Sequence, residues 1–207
     1  MGLSELFADA PRGTRTDIMR ATYVALNEHG YADLTIQAIA DEFDKSKSLL
    51  YHHYDGKDAL LLDLMGFLVD RFEVEMDATD DADPRHQLEE FFDRLIPVSA
   101  PEERCAFDRV MVELRSAGAH DPAFREKFTE TDHVLRDRLA GVLRTGMETG
   151  EFREGDPVRI AELLLATILG SITGRATSDD GWTEDIRAEL DAYVVARLDA
   201  GTETEAA

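Results

Sequence analysis

The sequence lacks several features that mark whole classes of protein. It has a single cysteine, Cys105, which excludes an internal disulfide and is predicted to be a small core residue rather than a redox sensor. Its longest apolar run, residues 163–172, is far shorter than the roughly 20 residues of a membrane-spanning helix. The N-terminus has no basic region followed by an apolar one. We therefore expect no signal peptide, no membrane partner and a cytoplasmic location.

Lysine is also scarce, and negative charge is abundant. The 207 residues include 44 acids and 22 bases, giving a net charge of −22, and only four of the bases are lysines. An excess of carboxylates keeps a protein hydrated in concentrated salt, where charges are screened over about 3 Å at 1 M. Because the acids are spread along the whole chain, the composition predicts a halophilic host, a halophilic archaeon, rather than an ordinary acidic protein.

Strand-like alternation is missing as well. Apolar residues instead recur at helical spacing, in stretches separated by glycine, proline and aspartate, which predicts an all-α fold of about nine helices. Gly30 is predicted to end the first helix, which begins near Gly13, and Thr35 to cap the second. A long helix is predicted to begin near Lys57. Five later helices are predicted over residues 87–98, 101–117, 122–147, 157–174 and 183–198.

Motifs of catalysis and metal binding do not occur. The chain has no glycine-rich phosphate loop, no nucleophile elbow and no paired catalytic carboxylates. The six histidines lack metal-ligand spacing, since the adjacent His52 and His53 point to different faces of a helix. We therefore expect no enzymatic activity, no cofactor and no metal.

The stretch from Leu34 to Leu61 holds three of the four lysines and fits two short helices joined by a turn, then the start of a long helix. A helix-turn-helix lays its second helix in the major groove of DNA, N-terminal end first. Here that helix would begin with Ser46, Lys47 and Ser48, where small residues allow close approach and the lysine reaches a phosphate or a guanine edge.

The charge distribution favours the same interpretation. Residues 1–57 carry 9 acids and 6 bases, a net charge of −3, whereas residues 58–207 carry −19. The N-terminal region is thus much less acidic than the rest of the chain, as a DNA-binding surface requires. The open alternative is that its lysines and Tyr51 form only a solvated face.

Residues 14–64 resemble the DNA-binding domain of the TetR family of transcriptional repressors. The resemblance lies in Ile18, Ala21 and Gly30, in Thr35, Ile39 and Ala40, and in SKSLLYHHYDGKDALL from Ser46 to Leu61. The operator contacts that the resemblance implies are Thr35, Ser46, Lys47, Ser48, Leu49, Tyr51, His52, His53 and Lys57.

Three departures from the family pattern, at five positions, distinguish this sequence. The family usually has Ala-Gly-Val where this chain has Phe43-Asp44-Lys45, so Lys45 is predicted as a further DNA contact, and Asp44 as an acid close to phosphates. The family also usually has glycine at Ser48 and often threonine at Leu49. The bases that this helix reads therefore do not follow from the resemblance.

Two later segments, MVELRSAGAHDPAFREKF and GEFREGDPVRIAELLLATILGSITGR, resemble the regulatory domains of one TetR branch. The resemblance implies a dimer interface built from the last two helices and an inducer pocket among the middle ones. The predicted interface residues are Leu164, Ile168, Ile172, Ile186, Leu190, Tyr193 and Val194. The predicted pocket residues, which would favour an apolar effector, are Phe67, Phe91, Phe92, Met111, Phe128, His133 and Ile168. The open alternative is that most of them are ordinary core residues and that His133 is a satisfied or exposed side chain.

The sequence thus predicts a helix-turn-helix domain over residues 1–56, a helical ligand-binding and dimerisation domain over 57–200, and a tail over 201–207. The predicted function is a homodimeric regulator, a repressor that a small-molecule effector releases from a palindromic operator in double-stranded DNA. The alternative is a small helical ligand carrier or enzyme whose N-terminal helices are only structural. Because each phosphate neutralised by a cation makes affinity fall with salt, we expect hydrogen bonds, nonpolar contacts and cation uptake to carry more of the binding.

Overall fold

The protein is all-α, as predicted. The computed structural model describes residues 7, 10–43, 47–77, 83–179, 183–198 and 200. Over these residues the chain forms nine α-helices and a closing π-helical turn, Val194–Leu198, with no β-strand. The helices are α1 (Thr14–Asp33), α2 (Ile36–Asp41), α3 (Lys47–His53), α4 (Lys57–Asp77), α5 (Pro84–Leu95), α6 (Glu102–Ala117), α7 (Pro122–Glu148), α8 (Pro157–Thr177) and α9 (Thr183–Tyr193).

Side-chain caps fix several helix starts. The Thr35 hydroxyl accepts a hydrogen bond from Ala38 N at 3.1 Å, which confirms the predicted cap of α2. Asp156 caps α8 in the same way. Helix α5 begins three residues earlier than predicted, because Asp83 accepts from the His86 amide and Pro84 occupies the first turn, where its missing N–H costs nothing.

Helix α1 is interrupted by a kink at Gly30, where the prediction placed its end, and helical structure then resumes as far as Asp33. Gly30 has φ 69°, a left-handed conformation that glycine adopts without strain. The kink removes the helical acceptor of the Tyr31 amide, and the Glu113 carboxylate of α6 accepts that hydrogen bond at 2.9 Å. The Tyr31 carbonyl accepts a second hydrogen bond, from Lys57 Nζ, at 2.9 Å. Both backbone groups of Tyr31 are therefore held by side chains from other helices.

The chain divides into two compact units. The first contains residues 1–74 and 101–131, and the second contains residues 75–100 and 132–207. The division runs through α4 and α7 and groups α6 with the helix-turn-helix. The predicted boundary after residue 56 separates a DNA-binding domain from a ligand-binding and dimerisation domain. This functional division stays a prediction.

The first unit is held together by an apolar core that includes aromatic contacts and one buried ion pair. Phe7 is buried and stacks on Phe67 with ring centroids 5.2 Å apart. On α6, Arg104 Nε donates to Asp108 at 3.0 Å, and the two side chains are only 4% and 1% exposed. Breaking such a pair leaves an uncompensated buried charge, which typically destabilises a protein by about 3–5 kcal/mol. Helix α6 therefore belongs firmly to this unit.

The second unit packs α8 against α9 and contains one very close approach. Phe152 is buried against Gly146 of α7, and a Cβ at position 146 would lie 2.2 Å from the Phe152 ring. Arg187 of α9 pairs with Asp93 of α5 and, at 3.0 Å, with Asp191. These contacts lie within the second unit, which contains α5, α9 and the C-terminal part of α7.

Helix α8 has an unusual composition for a helix of this protein. By length and composition alone, it is the one helix in the described part of the chain that is apolar enough to cross a membrane, with a mean hydropathy of 1.3 over its best 18 residues. Only a third of those residues are buried in the single chain. Two large apolar side chains of α8, Val158 and Leu163, are exposed, by 39% and 54%.

Candidate nucleic-acid interface

Helix α3 has one buried face and one polar, exposed face. Leu50 is fully buried in the core, and Leu49 is half-buried against it, which explains how two adjacent leucines pack on one short helix. The exposed side chains of α3 are those of Lys47, Ser48, Tyr51, His52 and His53. Five of the predicted DNA contacts thus lie on one solvent-facing surface, and Tyr51 is 54% exposed.

Lys47 does not stand alone on this surface. Its Nζ forms an ion pair with the Asp41 carboxylate at the end of α2, and Gln37 donates to the same oxygen at 3.0 Å. The hydrogen bond from Lys47 lowers the pKa of Asp41, so this carboxylate is ionised at neutral pH. A negative charge therefore lies within contact of the lysine that begins α3.

Lys57 and Thr35 also have partners within the protein. The Lys57 ammonium lies 4.8 Å from the centre of the Tyr31 ring, in addition to its hydrogen bond to the Tyr31 carbonyl. The Thr35 hydroxyl is exposed but already caps α2. The structure brings both residues close to the start of a helix, as the sequence predicted, and shows that each has a structural role there.

Three predicted features lie outside the described residues. They are the predicted turn residues Asp44 and Lys45, where the sequence departs from the family pattern, and the predicted cap Ser46. Phe43, the first residue of that departure, is described and is buried in the core of the first unit.

Sequence reasoning missed a polar cluster behind α3. Tyr54, the residue that follows α3, donates from its hydroxyl to Asp63 of α4, and Arg15 of α1 binds the same carboxylate. It also missed the pairing of Asp41 with Lys47. For both the cluster and the ion pair, the only sequence signal is that oppositely charged residues are present. Their separations along the chain match no helical period.

The predicted pocket residues are divided between the two units. Phe67, Met111 and Phe128 belong to the first unit, whereas Phe91, Phe92 and Ile168 are buried in the second. The remaining one, His133, is exposed on α7. A cavity of about 580 Å³ opens at the start of α1, lined by Phe7, Ala10, Arg12, Gly13, Thr16, Asp17 and Arg20, and none of the predicted residues lines it.

The predicted interface residues lie on α8, α9 and the turn after α9. Leu164, Ile168, Leu190 and Val194 are buried within the subunit. Ile172, Ile186 and Tyr193 are half-buried. A subset of the exposed small or apolar side chains of the same elements recurs at spacings of three and four. It is here called the α8–α9 stripe and consists of Leu163, Ala166, Gly170, Thr173, Ala188, Ala192 and Val195.

Comparisons with known proteins agree with this arrangement. Residues 18–64 match the family profile described as bacterial regulatory proteins, tetR family, and residues 84–199 match BetI-type transcriptional repressor, C-terminal. A solved TetR transcription regulator from Haloarcula marismortui is 35% identical, with a TM-score of 0.80, and the match covers 89% of this chain and 97% of that one.

Two further relatives are more distant. The HTH-type transcriptional repressor AcnR of Corynebacterium efficiens is 24% identical over 191 residues, covering 91% of this chain and 95% of AcnR. A transcriptional regulator from Saccharomonospora viridis, solved in complex with choline, is 21% identical with a TM-score of 0.76 over 89% of this chain and 97% of its own. At that identity the likeness shows the fold alone.

The BetI-type profile alone covers more than half of the 207 residues. The Haloarcula protein matches over almost its whole length. Regulators of this family bind DNA operators and small-molecule effectors and form dimers. The chain belongs to the TetR family, and it is a DNA-binding transcriptional repressor whose C-terminal part is of the BetI type.

Proposed function

We propose that two copies of this subunit bind a palindromic operator, each laying α3 in a major groove. The observation that carries the proposal is the exposed polar face of α3, set on a fully buried Leu50. In a symmetric dimer the two α3 helices would enter successive grooves, about 34 Å apart. The contacts we propose are those of Thr35, Lys45, Ser46, Lys47, Ser48, Leu49, Tyr51, His52, His53 and Lys57.

The exposed side chains of α3 suit different parts of the DNA. Lys47 reaches a phosphate or a guanine edge, and the small Ser48 allows the backbone to approach the bases. The Tyr51 ring, 54% exposed, is positioned for a thymine methyl group or a phosphate oxygen. Lys57 binds Tyr31 in the same chain, so its contribution is to hold the start of α4 near the DNA backbone.

We infer that the second subunit covers the α8–α9 stripe. Its residues recur at spacings of three and four, so they follow one side of each helix. They are small or apolar, which allows close packing between helices and accounts for the exposed apolar surface of α8. The half-buried Ile172, Ile186 and Tyr193 of the predicted interface would lie at the margin of this contact.

We also propose an apolar effector that binds the C-terminal part and releases the operator. The support is chemical: the predicted pocket residues are aromatic or aliphatic apart from His133. The relative solved with choline binds a cation instead, and it shares only the fold with this chain. Mass spectrometry of the ligand that co-purifies with the protein, with choline as a comparison in thermal-shift titrations, distinguishes the two chemistries.

We propose further that the host is a halophilic archaeon and that the protein acts in its salt-rich cytoplasm. The net charge of −22 and the 35% identical regulator from Haloarcula marismortui support this origin. Folding titrations in KCl test it, since an acidic halophilic protein should be more stable at molar salt than at low salt, where its self-repulsion is less screened.

The proposed DNA contacts are tested by Lys47→Ala combined with Tyr51→Phe. We expect gel-shift titration with the protein's own upstream DNA to show at least a tenfold loss of affinity, with an unchanged helical circular dichroism spectrum, because each specific contact contributes about 1–3 kcal/mol. Arg144→Ala, which removes an exposed cation from α7, is the matched control and should bind normally. Unchanged binding by the double variant would show that α3 is not the helix that contacts the operator.

A further inference from the structure

Helix α3 is too short to keep a fixed orientation without contacts to other parts of the protein. It has seven residues, whereas isolated helices of fewer than about 12–15 residues are marginal in water. Its apolar anchor is Leu50 with the half-buried Leu49, and the Tyr54 amide closes its last turn by donating to the Leu50 carbonyl at 2.9 Å. The direction in which α3 points therefore depends on what holds its C-terminal end.

That end is fixed by a carboxylate on another helix. The Tyr54 hydroxyl donates to Asp63 Oδ2 at 2.5 Å. From α1, Arg15 donates to Asp63 Oδ1 through Nη2 at 2.7 Å and through Nε at 3.1 Å. Asp63 thus joins the end of α3, the start of α1 and the body of α4 at one point.

The environment of Asp63 makes this junction stronger than an ordinary surface ion pair. Its side chain is 27% exposed. Burial by itself would raise the pKa of Asp63, but the hydrogen bonds from Arg15 and Tyr54 outweigh it, and the pKa is lowered. Burial, with the hydrogen bond to Asp63, also raises the pKa of Tyr54, so its hydroxyl keeps its proton at any physiological pH. The carboxylate therefore remains a charged acceptor with two donors, and hydrogen bonds to charged groups are among the stronger ones in proteins.

The hydroxyl of Tyr54 matters for direction rather than for packing. A phenylalanine ring would fill the same space against the core but would lack the hydroxyl that donates to Asp63 of α4. The link joins side chains 9 and 48 residues away from Asp63 in the sequence, so it ties together elements that local structure does not connect.

We propose that Asp63 is a positioning residue for operator recognition, which orients α3 through the Tyr54 hydroxyl while Arg15 holds the carboxylate in place. The inference rests on the proposal that α3 reads the operator. Base contacts require a side chain to be placed within about half an ångström, whereas attraction to phosphates tolerates tilting of the helix. Loss of the link should therefore reduce specific binding and leave nonspecific binding nearly intact.

The test compares affinity for the operator, selected from a pool of random duplexes with the full-length protein, with affinity for an unrelated duplex of equal length. Asp63→Ala should lower the ratio of the two affinities about tenfold, and Tyr54→Phe about fivefold, on the scale of one hydrogen bond to a charged group. The double variant should lose no more than Asp63→Ala alone, since the hydroxyl acts only through the carboxylate. Measurements are made in molar KCl below the melting temperature of every variant.

Asp70→Ala is the matched control. Asp70 lies on the same helix, is more exposed and touches Arg15 only at 3.7 Å, so its removal changes the charge equally but should leave the ratio unchanged. Ratios in Asp63→Ala and Tyr54→Phe equal to that of Asp70→Ala, or losses that add fully in the double variant, would overturn the proposal. Tyr54→Phe removes a single oxygen atom and keeps the test decisive if Asp63→Ala does not fold. A normal ratio in these variants, together with lost binding in the Lys47 and Tyr51 double variant, would refute the role of Asp63 and leave the reading role of α3 intact.

Discussion

Helices α3 and α8 each expose a surface that the subunit leaves uncovered, and the two surfaces differ in chemistry. On α3 the exposed side chains are polar and include a lysine, two histidines and a tyrosine. On α8 the exposed side chains beyond Arg159 and Glu162 of its first turns are small, apolar or threonine, with Leu163 54% exposed. A polar face suits the phosphates and base edges of DNA, whereas an apolar face of this size suits another protein surface.

The difference also appears in the side chains beside each surface. The lysine of α3 forms an ion pair with Asp41, so its positive charge is already partly neutralised in the absence of DNA. The residues of the α8–α9 stripe are uncharged, although Glu162 of α8 and Glu189 of α9 are exposed on the same helices. Binding at α3 should therefore respond to salt and charge substitutions, and binding at the stripe to substitutions of size and polarity.

The largest effect is expected from Leu163→Glu, which places a charge on the α8–α9 stripe. Because Leu163 is already exposed in the subunit, the fold should survive while the dimer dissociates. The operator affinity should fall at least about 100-fold, since two linked half-site contacts become one. Sedimentation velocity and operator titration measure the two effects, and Val98→Glu, at a residue 56% exposed between α5 and α6, is the control. A dimeric Leu163→Glu variant would show that the partner binds elsewhere.

A smaller effect is expected from salt itself. Proteins with 6–10 phosphate contacts lose about 10³–10⁵ in affinity between 50 and 200 mM salt. Here Lys47 and Lys57 are held by groups of the same chain, so we expect a loss of no more than about tenfold over that range. Operator titrations from low to molar KCl check this, after confirming by circular dichroism that the protein is folded at each concentration. A steep loss of the ordinary size would mean that lysine and arginine contacts to phosphates dominate after all.

The smallest effect is expected from Asp41→Asn. Without the carboxylate, Lys47 is free to neutralise a phosphate, so affinity at low salt should rise about threefold. The log–log salt slope should steepen by about 0.9 per subunit. Glu42→Gln removes an equal charge one residue away, also from an exposed position, and should change both quantities less. Equal responses in the two variants would show that only the overall charge matters.

The parts of the fold that depend on local sequence could be predicted. The cap at Thr35 and the prolines at the starts of α7 and α8 mark helix boundaries, because these residues satisfy or lack backbone N–H groups within one turn. The kink at Gly30 was placed correctly but interpreted as a helix end. Glu113, 82 residues away from Tyr31, supplies the acceptor that lets the chain continue after the kink, and no local pattern reveals it.

The exposed surfaces were harder to predict for a related reason. In the run from Leu163 to Ile168 nearly every residue is apolar, so helical periodicity does not show which side faces the core. Leu164 was predicted at the interface but is buried within the subunit, whereas the adjacent Leu163 is exposed. On α3, residue types predicted the exposed face, but the pairing of Lys47 with Asp41 joins two helices and follows from no local pattern.

The Tyr31 amide also gives this protein a natural spectroscopic reporter. Its proton is bound to a carboxylate of α6 rather than to a helix carbonyl, so its exchange with solvent depends on whether Glu113 stays in place. Hydrogen exchange at this single amide therefore records the separation of α1 from α6 in solution. Followed while an effector is added, it would report movement between these two helices without any label or substitution.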